Sequence, residues 1–344
     1  MIARHGRASA ALLSALLLSS AGCGPIPDYR TLVEADIHPP DFLGIDTTDA
    51  RTVVVRFDES VSPIKGAVSV APEVQVAEVA ADGAALRIRL DRDQQIGADY
   101  TLEAAVSDGS GNSTTLLTHF YGFNPTVPRL VINEFTTQGS DTHPDSVELF
   151  AGEAGNLAGV CLYEGMSDVW DDRYVFPSVA VEAGEYVIVH FKPQGIPQEI
   201  SETTDRTASG GYDSSPLAFD EWVSGGDGLS GNNGVLSLYS SPGGRLLDAV
   251  LYSNRTSTSD TDYGGFGSKT LLDQATALAK AGAWSFAGDR IAPEDAVNPT
   301  GSTATRSICR DSHSADTNGR SDWHIVPTSG FTFGVQNSDA VYVP

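Results

Sequence analysis

The sequence predicts an all-β protein, with two β-sandwich domains in tandem and the second enlarged by loop insertions and one helix. Apolar and polar residues alternate with a period of two in short runs from Arg51 to Tyr252, the pattern of strands that bury one face. Turn residues, including many of the 35 glycines in 344 residues, separate these runs at the spacing of sandwich strands. A proline-bounded stretch, residues 124–128, divides them into two groups, each long enough for its own core.

The strands are preceded by a segment of another kind. Arg4 and Arg7 lead into an apolar stretch from Ala8 to Leu18, and Ser20, Ala21 and Gly22 then run up to Cys23. The stretch is about 11 residues, short of the roughly 20 that a membrane-spanning helix needs. Residues 1–22 therefore read as a cleaved targeting segment. This run resembles bacterial lipoprotein signal peptides, although Ser20 stands where that family usually has leucine. The resemblance implies that Cys23 is acylated and anchors the protein in the cell envelope. Gly24, which is not an acidic retention signal, points to the outer membrane or cell surface. The other reading is an ordinary cleaved signal with an incidental cysteine. Residues 23–39, rich in proline, form a tether. No later stretch reaches 18 consecutive apolar residues, so lipid is the membrane contact to expect.

The formal charge of −24 becomes more negative by two once Arg4 and Arg7 are removed. A surface of that sign repels phosphate backbones, which argues against nucleic acid as a partner. It also serves solubility.

Residues 40–123 make the first domain. Strands are expected at 51–57, 68–70, 74–79, 86–90 and 100–106, with Asp82-Gly83 as a tight turn. Phe57 to Val61, Gly97 to Leu102 and Asp108 to Asn112 resemble the recurring motifs of bacterial Ig-like surface modules. Asp108 and Asn112 have the chemistry of a turn that bonds its own backbone.

Beyond the linker at 124–128, residues 129–340 make the second domain. Strands are expected at 130–135, 146–150, 157–163, 174–177, 185–191, 234–239 and 246–252. Their motifs, from Val131-Ile-Asn-Glu-Phe135 through Asn156-Leu-Ala-Gly-Val160 to Asp316-Thr-Asn-Gly-Arg-Ser-Asp-Trp323, resemble in order those of the lamin tail domain. That resemblance implies an Ig-like sandwich and says little of function. Two insertions, 192–233 and 253–300, depart from the compact family form. The first is the place to look for specificity. The second holds a helix at 270–281, with Leu271, Leu272, Ala275, Leu278 and Ala279 on one face and Gly282 to stop it.

Chemistry-bearing motifs are sparse. Neither a Gly-x-Ser-x-Gly elbow nor a His-Glu-x-x-His helix occurs, so catalytic residues are assigned to none. His38, His119, His143, His190, His313 and His324 are scattered and read as ordinary strand or loop residues. Glu134 and Glu148 read as structural acids. Cys161 and Cys309 are either a disulfide pair or two unrelated buried thiols. Asp311, Asp316, Asn318 and Asp322 crowd around Gly319 like the first half of a calcium loop, without its closing glutamate. Calcium is one reading of them and a turn held by side-chain hydrogen bonds is the other; Asp168, Asp171 and Asp172 pose the same choice on a smaller scale.

The function expected from these features is non-catalytic: a lipid-anchored envelope protein displaying a surface for adhesion or scaffolding, toward a protein or glycan partner. The alternative is an enzyme or accessory subunit whose site lies in the 192–300 insertions. Nucleic-acid capture ranks third.

Overall fold

Strands form where alternation is strongest. In the first module they are β1 (Phe42–Asp49), β2 (Thr52–Phe57), β3 (Ser62–Ala71), β4 (Val76–Asp82), β5 (Ala85–Leu90), β6 (Asp99–Ser107) and β7 (Ser113–Tyr121). The computed structural model describes residues 36–257 and 259–344, so the signal segment, Cys23 and most of the tether lie outside the described residues. A four-stranded sheet, β1-β2-β5-β4, faces a three-stranded one, β3-β6-β7, and all the pairings are antiparallel. Along β5, Leu86, Ile88 and Leu90 are buried while Arg87 and Arg89 are exposed. The buried set packs with Val53, Val55 and Phe57 of β2 and with Leu102, Ala104 and Val106 of β6. Asp108 is the turn device its sequence suggested: its Oδ1 accepts the amides of Ser110 and Asn112, each at 2.8 Å.

The second module has its own core. Its strands are β8 (Leu130–Phe135), β9 (Ser146–Ala151), β10 (Gly155–Asn156), β11 (Cys161–Met166), β12 (Val169–Val175), β13 (Ala180–Val181), β14 (Tyr186–His190), β15 (Phe219–Trp222), β16 (Asn233–Tyr239), β17 (Leu246–Ser253), β18 (Ile308–Cys309) and β19 (His324–Ile325). A four-stranded sheet, β12-β11-β16-β17, packs on a six-stranded one, β15-β14-β9-β8-β18-β19. The insertion at 192–233 is more ordered than a loop, because it delivers β15 as a parallel edge strand beside β14. Phe219, Asp220, Glu221 and Trp222 are all buried there, and two adjacent acids hide the strand from any alternation rule.

The expected helix is α1 (Lys269–Lys280). Ser268 caps it, its hydroxyl accepting the Leu271 amide at 3.2 Å, and Gly282 follows with φ +68°. Leu271, Ala275 and Leu278 face the module core, and Gln274 donates to the Val169 carbonyl at 2.9 Å. The helix therefore packs on its own domain. No helix among the described residues is long and apolar enough to cross a membrane.

One buried cation ties the two sheets together. Arg310, fully buried, donates through Nε to the Ile132 carbonyl (2.7 Å), through one terminal nitrogen to Asp248 of β17 (3.1 Å), and through the other to Asp316 (3.0 Å) and Asp322 (3.3 Å). Its guanidinium lies 4.6 Å from the Trp323 ring centroid. The Asp248 carboxyl is pushed up to about 6 by burial, against the pull of Arg310.

The linker does not dangle. Asn124 donates to the Asn156 and Ala158 carbonyls at 2.8 and 3.0 Å, and the Asn156 amide reaches the Thr126 carbonyl at 2.9 Å. Gly97 of the first module meets Ala158 and Gly159 of the second so closely that a Cβ there would lie 2.5 Å from the Ala158 carbonyl carbon. Only glycine fits, and its φ of +67° adds a second reason.

Candidate functional site

The two cysteines do not pair. Both are free and buried. Leu162 and Ile308 point into the module core, so their neighbours Cys161 and Cys309, by the two-residue period, point out of it on the far sides of two different sheets. Cys161 packs with Tyr163 and Tyr239, and Cys309 lies 3.6 Å from His324 Nε2. Burial raises both thiols, that of Cys161 to about 12, which makes them poor nucleophiles.

The calcium reading of the late loop also fails. Asp316 and Asp322 are turned onto Arg310, so a guanidinium stands where a cation would be needed. Their remaining capacity goes to the turn: Asp316 accepts the Asn318 amide at 3.0 Å, and Asp322 accepts the Thr317 amide at 2.8 Å. Asp311 accepts the amides of His313 and Ala315, both at 3.0 Å. Asn318 contributes its backbone carbonyl to Ser285, with φ at +55°.

The outer face of the six-stranded sheet carries a buried polar layer. Glu134 accepts from Thr332 N at 2.8 Å, Thr332 Oγ1 at 2.6 Å and the Ser307 hydroxyl. Glu148 accepts from Gly334 N at 2.5 Å and Asn133 Nδ2 at 2.8 Å. Burial raises both carboxyls, and Glu148 rises further because Glu134 lies beside it. The segment 331–337 is thus strapped over the sheet. Further along, Ser146 Oγ lies 3.0 Å from His190 Nδ1, and His190 Nε2 lies 2.7 Å from Asp220 Oδ1. These are the residue types of a hydrolase triad. Here, however, Ser146 is 2% exposed, its hydroxyl donates to the Pro144 carbonyl at 3.1 Å, and Trp222 stacks on His190. A nucleophile sealed this way meets no substrate, so the trio fastens β15 to the sheet.

An open concavity lies elsewhere, between the β11–β12 hairpin and both insertions. A cavity of about 450 Å³ is walled by Glu164, Trp170, Asp171, Asn232 and α1. It adjoins a second lobe of about 580 Å³, which shares Glu164 and Asp171 and adds Asp172 and Asp227. A β-bulge brings the acids together. Glu164 pairs with Asp172 but Gly165 pairs with Trp170, so Asp171 is an extra residue in β12 and turns to the same side as Asp172. Gly165 permits the tight crossing, since a Cβ there would lie 2.6 Å from the Val169 carbonyl oxygen. Glu164 is 6% exposed; its Oε1 accepts the Ser230 amide at 2.6 Å and its Oε2 has no hydrogen-bond partner. Burial, with the charges of Asp171, Asp172 and Asp227 around it, pushes its carboxyl up to about 7. Burial and Asp227 raise Asp172 as well. Among the described residues no ion pair neutralises any of the four.

Of the acids singled out in the sequence, Asp171 and Asp172 reach this cleft and Asp168 does not line it. Glu164, Asp227 and Trp170 were missed. Glu164 had a signal, an acid on the face of β11 that Leu162 and Met166 send inward. Asp227, in a glycine-rich loop, had none.

Comparison with known proteins places the second module. A family model described as a protein second domain (TP_1001_2nd) matches residues 128–325, from the linker's end to the last strand and across the whole cleft. A curated protein of Treponema pallidum (strain Nichols), described as uncharacterized, is 27% identical over 169 residues. The alignment covers 48% of this chain and 42% of that protein, so the chain spans less than half of the relative's length. With more than half of its residues matched, the chain belongs to the TP_1001 second-domain family.

Proposed function

We propose that the protein is a lipid-anchored envelope protein, held through Cys23, that presents the acidic cleft of a lamin-tail-like module as a non-catalytic binding surface. A bacterial Ig-like module serves as its spacer. The observation that carries this reading is the convergence of both insertions on one cleft: residues 225–233, Ser257 and residues 266–274 wall it together with β11 and β12. Insertions on a rigid sandwich are where binding residues collect. The anchor is tested by fractionation. Wild type should remain with membranes through a high-salt wash, and Cys23→Ala should move to the soluble fraction; a variant that stays with membranes overturns the lipid anchor.

A second reading rests on Glu164 alone, because a carboxyl near 7 suits a general acid. It requires a turnover that Glu164→Gln abolishes. Binding is favoured, since no histidine lines the cleft to activate its serine and threonine hydroxyls.

A further inference from the structure

Four carboxylates face one cleft without a counter-charge; Asp171 and Asp227 are exposed and Asp172 is half-buried, so the cost of crowding falls on the buried Glu164. Glu164 sharpens the point: the residue is only 6% exposed, one carboxylate oxygen holds the Ser230 amide, and the other opens into the cavity. A directly coordinated calcium is too small. It holds oxygens at about 2.3–2.6 Å. Among the described residues no three acidic groups of this cleft bring ligand atoms within 4.8 Å of one another. An organic cation, longer and able to donate several hydrogen bonds, matches the wider spacing.

The wall that carries Asp171 and Asp172 is itself an edge. β12 pairs with β11 on one side and has no strand on the other. Trp170, 41% exposed on the rim, already has the Arg173 guanidinium 4.7 Å from its ring centroid. An extended chain laid along β12 would find backbone groups to pair with and acids for its side chains.

We infer that the cleft is a docking site for an extended, basic polypeptide segment, whose lysine or arginine side chains sit between Glu164, Asp172 and Asp227. This rests on the binding reading above and names its partner by chemistry. Glu164 and Asp172 bind the cation, Asp171 and Asp227 set the field around it, and β12 orients the segment. Glu164 must be ionised to contribute fully, so affinity rises from pH 6 to pH 8.

The test uses the full chain, a hexapeptide of alternating lysine and threonine, and a glucosamine oligomer of equal charge, titrated calorimetrically at 0.15 M salt. Two double variants are compared: Glu164→Gln with Asp172→Asn in the cleft, and Glu103→Gln with Glu153→Gln on exposed surface as a control of equal charge. Glutamine keeps an acceptor for the Ser230 amide, and thermal melts check that each variant is folded. The expected result is saturable binding of the peptide by wild type, weakened at least tenfold by the cleft variant and less than twofold by the control. Equal weakening by both variants overturns the site in favour of a diffuse field. Saturation by the glucosamine oligomer but not the peptide overturns the polypeptide and leaves the binding cleft standing. Binding of neither probe overturns the inference, whereas failure of the display reading would show separately, in the Cys23→Ala fractionation.

Discussion

Carboxylates occupy two regions of the second module on opposite terms. Beside Arg310 and beneath the 331–337 strap Asp248, Glu134 and Glu148 are buried, Asp316 and Asp322 lie nearer the surface, and every one accepts hydrogen bonds from donors of the chain itself. In the cleft between β11, β12 and the insertions they stand next to one another with one amide for Glu164, one for Asp172 and no cation. Residue type is the same in both places. What separates the two regions is whether the fold supplies the partner, and burial alone does not distinguish them: Glu148 is 0% exposed and Glu164 only 6%.

The contrast predicts opposite signs for removing charge. Arg310→Met strands Asp248 in the core, and the expected loss is about 3–5 kcal/mol in denaturant unfolding. Adding Asp248→Asn should restore part of it, because the neutral side chain still accepts the Ile132 amide and leaves no buried charge. A loss below about 1 kcal/mol for the single variant would break the claim that this region is held by its charges.

In the cleft, Glu164→Gln should stabilise, and only as pH rises. The folded-state carboxyl is raised from 4.5 to about 7, so its favourable contribution is complete below 4.5 and is lost as pH climbs through 7. Wild type and variant should melt together at pH 4.5. By pH 8 the variant should be ahead by about 2 kcal/mol. Equal melts at pH 8 would sharpen the comparison the other way, by showing that solvent reaches Glu164 well enough to neutralise its neighbours.

The smallest effects are expected where neither region is touched. Dithiothreitol and EDTA should each leave the melting temperature unchanged, since Cys161 and Cys309 are free and Arg310 fills the late acidic loop. A thiol reagent should react with both cysteines only after denaturation. A drop of several degrees with either reagent would overturn the corresponding assignment.

How much was legible follows from the range of each interaction. β5 and β6 carry period-two signals, β2, β8 and β14 are short apolar or β-branched runs of strand length, and α1 carries a helical face with its stop, so local pattern sufficed. β15 did not announce itself, because Asp220 and Glu221 are buried by partners 30 and 47 residues away, His190 and Tyr174. Arg310 was unreadable for a similar reason: its acceptors Ile132 and Asp248 lie 178 and 62 residues off. The acidic pair at 171–172 was visible as composition. Its meaning came from a bulge, which depends on a register that only pairing with β11 defines. The cysteine pair went wrong because sequence supplies parity and compartment but not which side of a sheet each thiol takes.

The strap has a consequence in time. Thr332 and Asn337 reach Glu134 and Asn133 across 198 and 204 residues, so β8 leaves the ribosome long before the groups that satisfy it. Until they arrive, the outer sheet face keeps unmet acceptors and favours an open chain. Contacts of such sequence separation close late, after local hairpins have formed. The module's final lock is therefore its most C-terminal one, and a growing chain stays pliable until residues 331–337 close over the sheet.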